Sequence, residues 1–146
     1  MNKKQILPWQ QRYYDAHYKH TKERTPSVVA DGHYFTPKIP DVTKANGLTL
    51  FICNYVNWMG YRATRITTTG RVVGGRYIYG QTRRGTGDIS LTVKGKAAQL
   101  EIKCGKDKPS IYQLEEQKRE RNAGGIYEFI RTPEEFFLVF DRMVNS

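Results

Sequence analysis

The chain has 146 residues and a mass of 16.9 kDa, which is room for one domain with a real core. Lys and Arg number 24 against 14 Asp and Glu, a formal charge of +10 that predicts attraction to polyanions and says nothing about fold. The longest apolar runs, such as "LTLFIC" and "FFLVF", fall far short of the roughly 20 residues that cross a bilayer, and the first twenty residues lack the apolar stretch of a secretion signal, so a cytoplasmic protein without membrane contact is expected.

Residues 1–43 carry five Tyr or Trp among Lys, Arg and His, four prolines and little sustained periodicity. They read as a basic, aromatic-rich arm with a short helix around residues 8–20, either draped over the core or ordered by a ligand. His17, His20 and His33 lack the spacing of a metal site and are expected at the surface. Cys53 and Cys104 likewise have no metal-type pairing and are expected as reduced thiols packed like small hydrophobes.

Residues 44–146 are patterned as a domain. In "ANGLTLFICNYVNWMGY", Leu48, Phe51, Ile52, Tyr55, Val56 and Met59 recur at three- and four-residue spacings, the stripe of a core-facing helix that Gly60 would stop. The Thr-, Val- and Tyr-rich stretch that follows predicts a strand, a glycine-rich hairpin and a second strand. "DISLTV" and "AQLEIKC" alternate around "KGKA" and should pair antiparallel. Ser110 followed by Gln113 marks the capped start of a largely solvated helix that ends at Gly124 and Gly125. "IYEFI" is a short strand, and Thr132, Pro133 and Glu135 open a last helix. The expected fold class is therefore α/β, a small mixed sheet flanked by helices.

Chemistry concentrates in "GTGDISLTVKGKAAQLEIKCGKDKPSIYQ". Side chains alternate across a strand, so Glu101 and Lys103 share one face while Leu100 and Ile102 point into the core. Gly85 and Gly87 permit the tight turn that would bring the Asp88 carboxylate beside Glu101. Two close carboxylates repel unless a cation lies between them, and a hard divalent ion prefers such oxygens. With Lys103 on the same face to orient a water or neutralise a phosphate, the residue types describe a metal-dependent phosphodiesterase site. Taken alone, the Glu-Ile-Lys triplet is more often an ordinary exposed charge set, and Gln113 more often a cap.

The ordered elements "GTGD", "EIK", "GKDKP" and "SIYQ", followed by "GGIYEF" and "TPEEFFLVF", resemble the virus-type replication-repair nuclease (VRR-NUC) domains of the PD-(D/E)xK nuclease superfamily over about residues 45–140. The resemblance implies a restriction-endonuclease-like core. It also implies a metal site in which Asp88 and Glu101 bind Mg²⁺ or Mn²⁺, the Ile102 carbonyl completes the inner ligands, Lys103 acts on the water and Gln113 positions the site. Two departures stand out: Gly87 occupies the place of the family's proline, and the first helix has no Asp or Glu, leaving Asn46, Thr49 or Asn54 as neutral stand-ins.

The implied activity is metal-dependent hydrolysis of DNA phosphodiester bonds, selective for a junction, flap or single-strand transition. Lys3, Lys4, Arg83, Arg84, Lys94, Lys96, Lys106 and Lys108 would hold the phosphate backbone. The rival reading is a non-catalytic nucleic-acid-binding module on a nuclease-like fold, with Tyr13, Tyr14 and Tyr18 stacking on bases. Dimerisation stays open, since junction-cutting members of the superfamily often need two sites. A bacterial or phage-infected cell is the setting in which such a short domain is expected.

Overall fold

The computed structural model describes residues 4–66, 71–78 and 85–146. In chain order they form α1 (Pro8–Arg24), α2 (Pro26–Ala30), α3 (Ala45–Trp58), β1 (Arg62–Arg65), β2 (Arg71–Val73), β3 (Arg76–Ile78), β4 (Ile89–Val93), β5 (Lys96–Ile102), α4 (Ile111–Asn122), β6 (Ile126–Ile130) and α5 (Pro133–Asn145). Four strands make one mixed sheet in the order β1-β4-β5-β6, and β2 and β3 make a separate two-stranded ribbon. The pairings β1/β4 and β4/β5 are antiparallel, whereas β5/β6 is parallel. Parallel neighbours need a crossover, and α4 supplies it. The architecture is the expected small mixed sheet with flanking helices. No described helix is long and apolar enough to cross a membrane.

One face of the sheet carries the core. Ile89, Leu91 and Val93 of β4 alternate with exposed Ser90 and Thr92, and Ala98, Leu100 and Ile102 of β5 continue the same apolar face. Against it lie Leu48, Phe51, Ile52, Tyr55 and Val56 of α3, at the helical spacing expected, and Phe136, Phe137, Phe140 and Met143 of α5. Gly60 stops α3 in the left-handed region at φ 86°. Between β4 and β5, Lys94 and Gly95 both take positive φ, the two-residue hairpin geometry whose twist matches the strands.

The caps show which local signals direct the folding. Ser110 Oγ accepts the Gln113 amide while Gln113 Oε1 accepts the Ser110 amide, a complete capping box at α4. At α5 the Thr132 hydroxyl accepts the Glu135 amide, but the Glu135 carboxylate accepts the Arg131 amide (2.7 Å), one residue before the expected partner.

The amino-terminal segment forms the helix expected around residues 8–20, extended to Arg24, and of the two alternatives it takes the one draped over the core. Tyr13 and Ala16 of α1 are buried in the same cluster as α3 and α5. The Tyr13 ring stacks on Phe51 at 4.6 Å and meets Trp58 edge-on, and its hydroxyl accepts a hydrogen bond from Asn54. Arg12 sits over the Phe137 ring and grips Asp141 through two nitrogens at 2.9 and 2.7 Å. Helix α1 is therefore the third helix on this side of the sheet, packed on α3 and α5. Tyr13→Ala should cost about 3–5 kcal/mol, the usual loss for a buried aromatic. Deleting residues 1–40 should leave a domain without a cooperative urea transition. A truncated protein that unfolds as sharply as the full chain would show that the α1 contacts are superficial.

Candidate functional site

The glycine turn before β4 is held from three sides. The Tyr127 hydroxyl donates to the Gly85 carbonyl (2.7 Å), the Gly87 amide donates to Gln99 Oε1 (3.0 Å), and the Ile66 amide donates to the Asp88 carbonyl (2.7 Å). Gly85 needs to be glycine on two counts: φ is +80°, and a Cβ there would overlap the Tyr112 carbonyl. At Gly87 a Cβ would lie 2.9 Å from the Leu100 carbonyl, so close approach of backbone to backbone favours the glycine found in place of a proline. The ladder that pairs Ile89 with Leu100 places Asp88, one step further, opposite Glu101. Asp88 Oδ2 accepts the Ile102 amide at 2.9 Å.

Glu101 and Lys103 lie on the other face of β5, under α4, and are only 5% and 6% exposed. This burial differs from a solvated strand face; the alternation is as expected, but the crossover helix covers it. Gln113 Nε2 donates to Glu101 Oε1 at 2.6 Å with the amide end not used by the capping box. Lys103 Nζ is 3.4 Å from the same Glu101 oxygen and 3.7 Å from Asp107 Oδ2. Desolvation and, second, the charge of Asp88 push the Glu101 carboxyl up to about 7, while Lys103 and the Asp88 amide pull the other way. The Tyr127 hydroxyl is also pushed up, by burial first and then by Glu101 and Asp88.

The structure thus gathers Asp88, Glu101, Ile102, Lys103 and Gln113 at the carboxyl end of β5. Because the amide and carbonyl of one strand residue point to the same edge, the Ile102 carbonyl faces the Asp88 side together with its bonded amide. Lys106 and Lys108 lie exposed in the loop between Lys103 and α4, at this end of the sheet. Lys94 and Lys96 do not surround the site as expected. They sit at the hairpin turn, five residues back along β5 from Glu101 in the case of Lys96, or about 17 Å at strand rise. Lys96 is occupied with the Met143 and Ser146 carbonyls at the end of α5. Lys3, Arg83 and Arg84 lie outside the described residues.

Three contributors were not singled out in the sequence. Gln99 and Tyr127 hold the glycine turn, and the Arg131 guanidinium donates to the Lys103 and Gly105 carbonyls. Gln99 was within reach of sequence logic, since it shares the Glu101 face two residues away. Tyr127 and Arg131 act across β6, which no spacing along the chain discloses. Of the neutral stand-ins on α3, Asn54 is turned to Tyr13, Thr49 bonds back to the Ala45 carbonyl, and Asn46 accepts from Arg65.

The donor set suits a hard divalent cation: two facing carboxylates, one of them held above its ordinary pKa partly by the other, and a main-chain carbonyl on the same side. Among the described residues no third His, Cys, Asp or Glu joins them.

The raised Glu101 pKa makes a pH prediction for the metal-free protein. The folded state keeps a proton that the unfolded state has released, so stability from this group is full below about pH 4.5 and falls as pH rises to about 7. In chelator, Glu101→Gln should lose less stability than wild type between pH 5 and pH 8 by urea denaturation. Equal losses would mean that the carboxyl titrates normally. No protein-family model matches this sequence, and no curated protein matches it.

Proposed function

We propose that the chain is a Mg²⁺- or Mn²⁺-dependent deoxyribonuclease of the VRR-NUC type on a restriction-endonuclease-like core, acting in the cytoplasm on branched or partly single-stranded DNA. The observation that carries this reading is the placement of Asp88 opposite Glu101 with Lys103 on the Glu101 face, buried at the end of the central strand. Burying an ammonium and a carboxylate together is costly, and a carboxyl raised by burial and a like charge, as Glu101 is, marks a place where chemistry is done. The resemblance in motif order supports the same assignment.

Bound between the carboxylates, the cation would polarise a phosphoryl oxygen and lower the pKa of a water. Asp88 and Glu101 would hold it, with the Ile102 carbonyl beside them. Asp88 is kept in place by the Ile102 amide and Glu101 by Gln113, so neither carboxylate must reorganise when a substrate arrives. Lys103 would orient the attacking water or neutralise charge growing on the phosphate. Lys106 and Lys108 would meet the neighbouring phosphates, and the excess of positive charge would draw the polyanion in. A non-catalytic binding module has one observation in its favour, the absence of any Asp or Glu on α3.

The experiment is cleavage of labelled branched, single-stranded and duplex DNA with and without Mg²⁺ or Mn²⁺. Asp88→Asn, Glu101→Gln and Lys103→Met should each cut at least about 100-fold more slowly while still binding DNA. A Glu101→Gln protein as fast as wild type would sink the nuclease reading, and a wild type that binds every substrate and cuts none would establish the binding module.

With only two carboxylates, metal uptake should depend on DNA. Calorimetry should find little Mg²⁺ binding by the free protein at low millimolar concentration, clear binding with DNA present, and better support from Mn²⁺. Tight Mg²⁺ binding without DNA would show that another group fills the coordination sphere.

A further inference from the structure

Residues 60–87 hold six arginines and no Lys, Asp or Glu, in a chain whose remaining basic residues are mixed with acids. Out of this stretch rises the β2–β3 ribbon. Among the described residues it pairs with neither edge of the four-stranded sheet, and it is exposed on both faces: Val72 is 69% exposed and Tyr77 54%, directly opposite each other in the register, while Val73, paired with Arg76, is 49% exposed. An isolated two-stranded ribbon is marginal in water, and with Val72 and Val73 exposed on opposite faces it buries no core among the described residues. Its turn is Gly74-Gly75, both at positive φ, so the tip is no thicker than backbone.

The anchor points set where the ribbon emerges. Ile66, directly after β1, has its amide bonded to the Asp88 carbonyl, and Gly85, four residues before β4, has its carbonyl bonded to Tyr127. Whatever the ribbon engages is thereby tethered to the two residues that flank the Asp88 turn.

We propose that the β2–β3 ribbon is a duplex-binding element that enters the DNA major groove and sets the register of the substrate over the Asp88–Glu101 site, a reading that rests on the nucleic-acid function above. The major groove admits a two-stranded β-ribbon, whereas the minor groove is about half as wide. The thin Gly74-Gly75 tip reaches toward the groove floor. Behind it, Val72 and Tyr77 share one face and Val73 and Arg76 the other, offering an apolar surface to thymine methyls and a guanidinium to guanine or phosphate. Arginine suits this task better than lysine, because its planar fork bonds base edges and phosphates through two nitrogens.

The test is binding of the full chain to a labelled duplex in chelator, compared with the same duplex carrying bulky groups at pyrimidine C5, which fill the major groove and leave the phosphates unchanged. Wild type should bind the blocked duplex about tenfold more weakly, and Val72→Ser with Arg76→Ala should bind both duplexes at that weaker level with single-strand binding unchanged. Arg76→Gln alone should give part of the loss, and thermal unfolding of all variants should match wild type because both sites are exposed. Equal wild-type affinity for open and blocked duplex, or ribbon variants with full affinity, would overturn the proposal. So would loss of self-association in the variants without DNA, which would make the ribbon a contact between copies of this chain. Cleavage is scored separately. Ribbon-dependent duplex binding without cleavage would remove only the nuclease reading, and cleavage with ribbon-independent binding would remove only the ribbon.

Discussion

Everything around β5 answers to the burial of the Glu101 carboxylate beside the Lys103 ammonium. Taking two ions out of water costs several kcal/mol each, and their attraction returns that only when their remaining bonds are made. The neighbouring structure supplies one such bond and fixes the backbone that carries the pair. Gln113 reaches Glu101 from α4, Asp107 stands near Lys103, the Lys103 amide is bonded to the Ile130 carbonyl, and Arg131 fastens the Lys103 and Gly105 carbonyls. A hydrophobic pair would hold this strand at least as well. What such a pair could not provide is a carboxylate facing Asp88 with an ammonium beside it.

The topology explains why the site lies at this end of the sheet. Because β6 is parallel to β5, the chain must cross over through α4, and the start of α4 comes to rest beside the last residues of β5. In open parallel α/β sheets ligands bind outside the carboxyl ends of the strands, and β5 and β6 are the parallel pair here. The β1/β4 pair and the Ile66 bond then bring the Asp88 turn to the same end from the opposite direction. Three segments distant in sequence meet with little freedom left to their backbones.

Much of this was legible in the chain because it is locally encoded. The α3 stripe, the hairpin at "KGKA", the Ser110 box and the Thr132 cap are each written within a few residues and appear where expected, although the hairpin turn narrows to Lys94-Gly95 and β5 starts at Lys96. The amino-terminal helix was harder for a physical reason. Its surface is mostly polar, and it meets the core through a narrow set of side chains: Trp9, Tyr13 and Ala16 against α3, and Arg12 on Phe137 and Asp141 of α5. Trp9, Tyr13 and Ala16 do fall at helical spacings of four and three, but three positions among so many charged ones make a faint stripe. The lysines divide similarly: Lys106 and Lys108 follow the end of β5 and stay at the site, whereas Lys94 and Lys96 form the hairpin turn and are carried to the far end by the strand itself. Counting positions from Glu101 would have separated them. Tyr127 could not be found so, since its bond to Gly85 spans 42 residues and a parallel pairing.

Gln113 shows how one residue can serve the fold and the site without compromise. Its oxygen is used by the Ser110 amide and its nitrogen by Glu101, so the two ends of one planar group satisfy a helix start and a buried carboxylate. A glutamate at this position would still close the capping box, but it would set a third negative charge against Glu101, whose pKa Asp88 already raises. An asparagine is one methylene shorter, and a lysine has no acceptor for the Ser110 amide. Only a long side chain that accepts at one atom and donates at the other meets both demands. The cap and the carboxylate therefore constrain the same choice, and helix α4 cannot fray at its start without releasing Glu101.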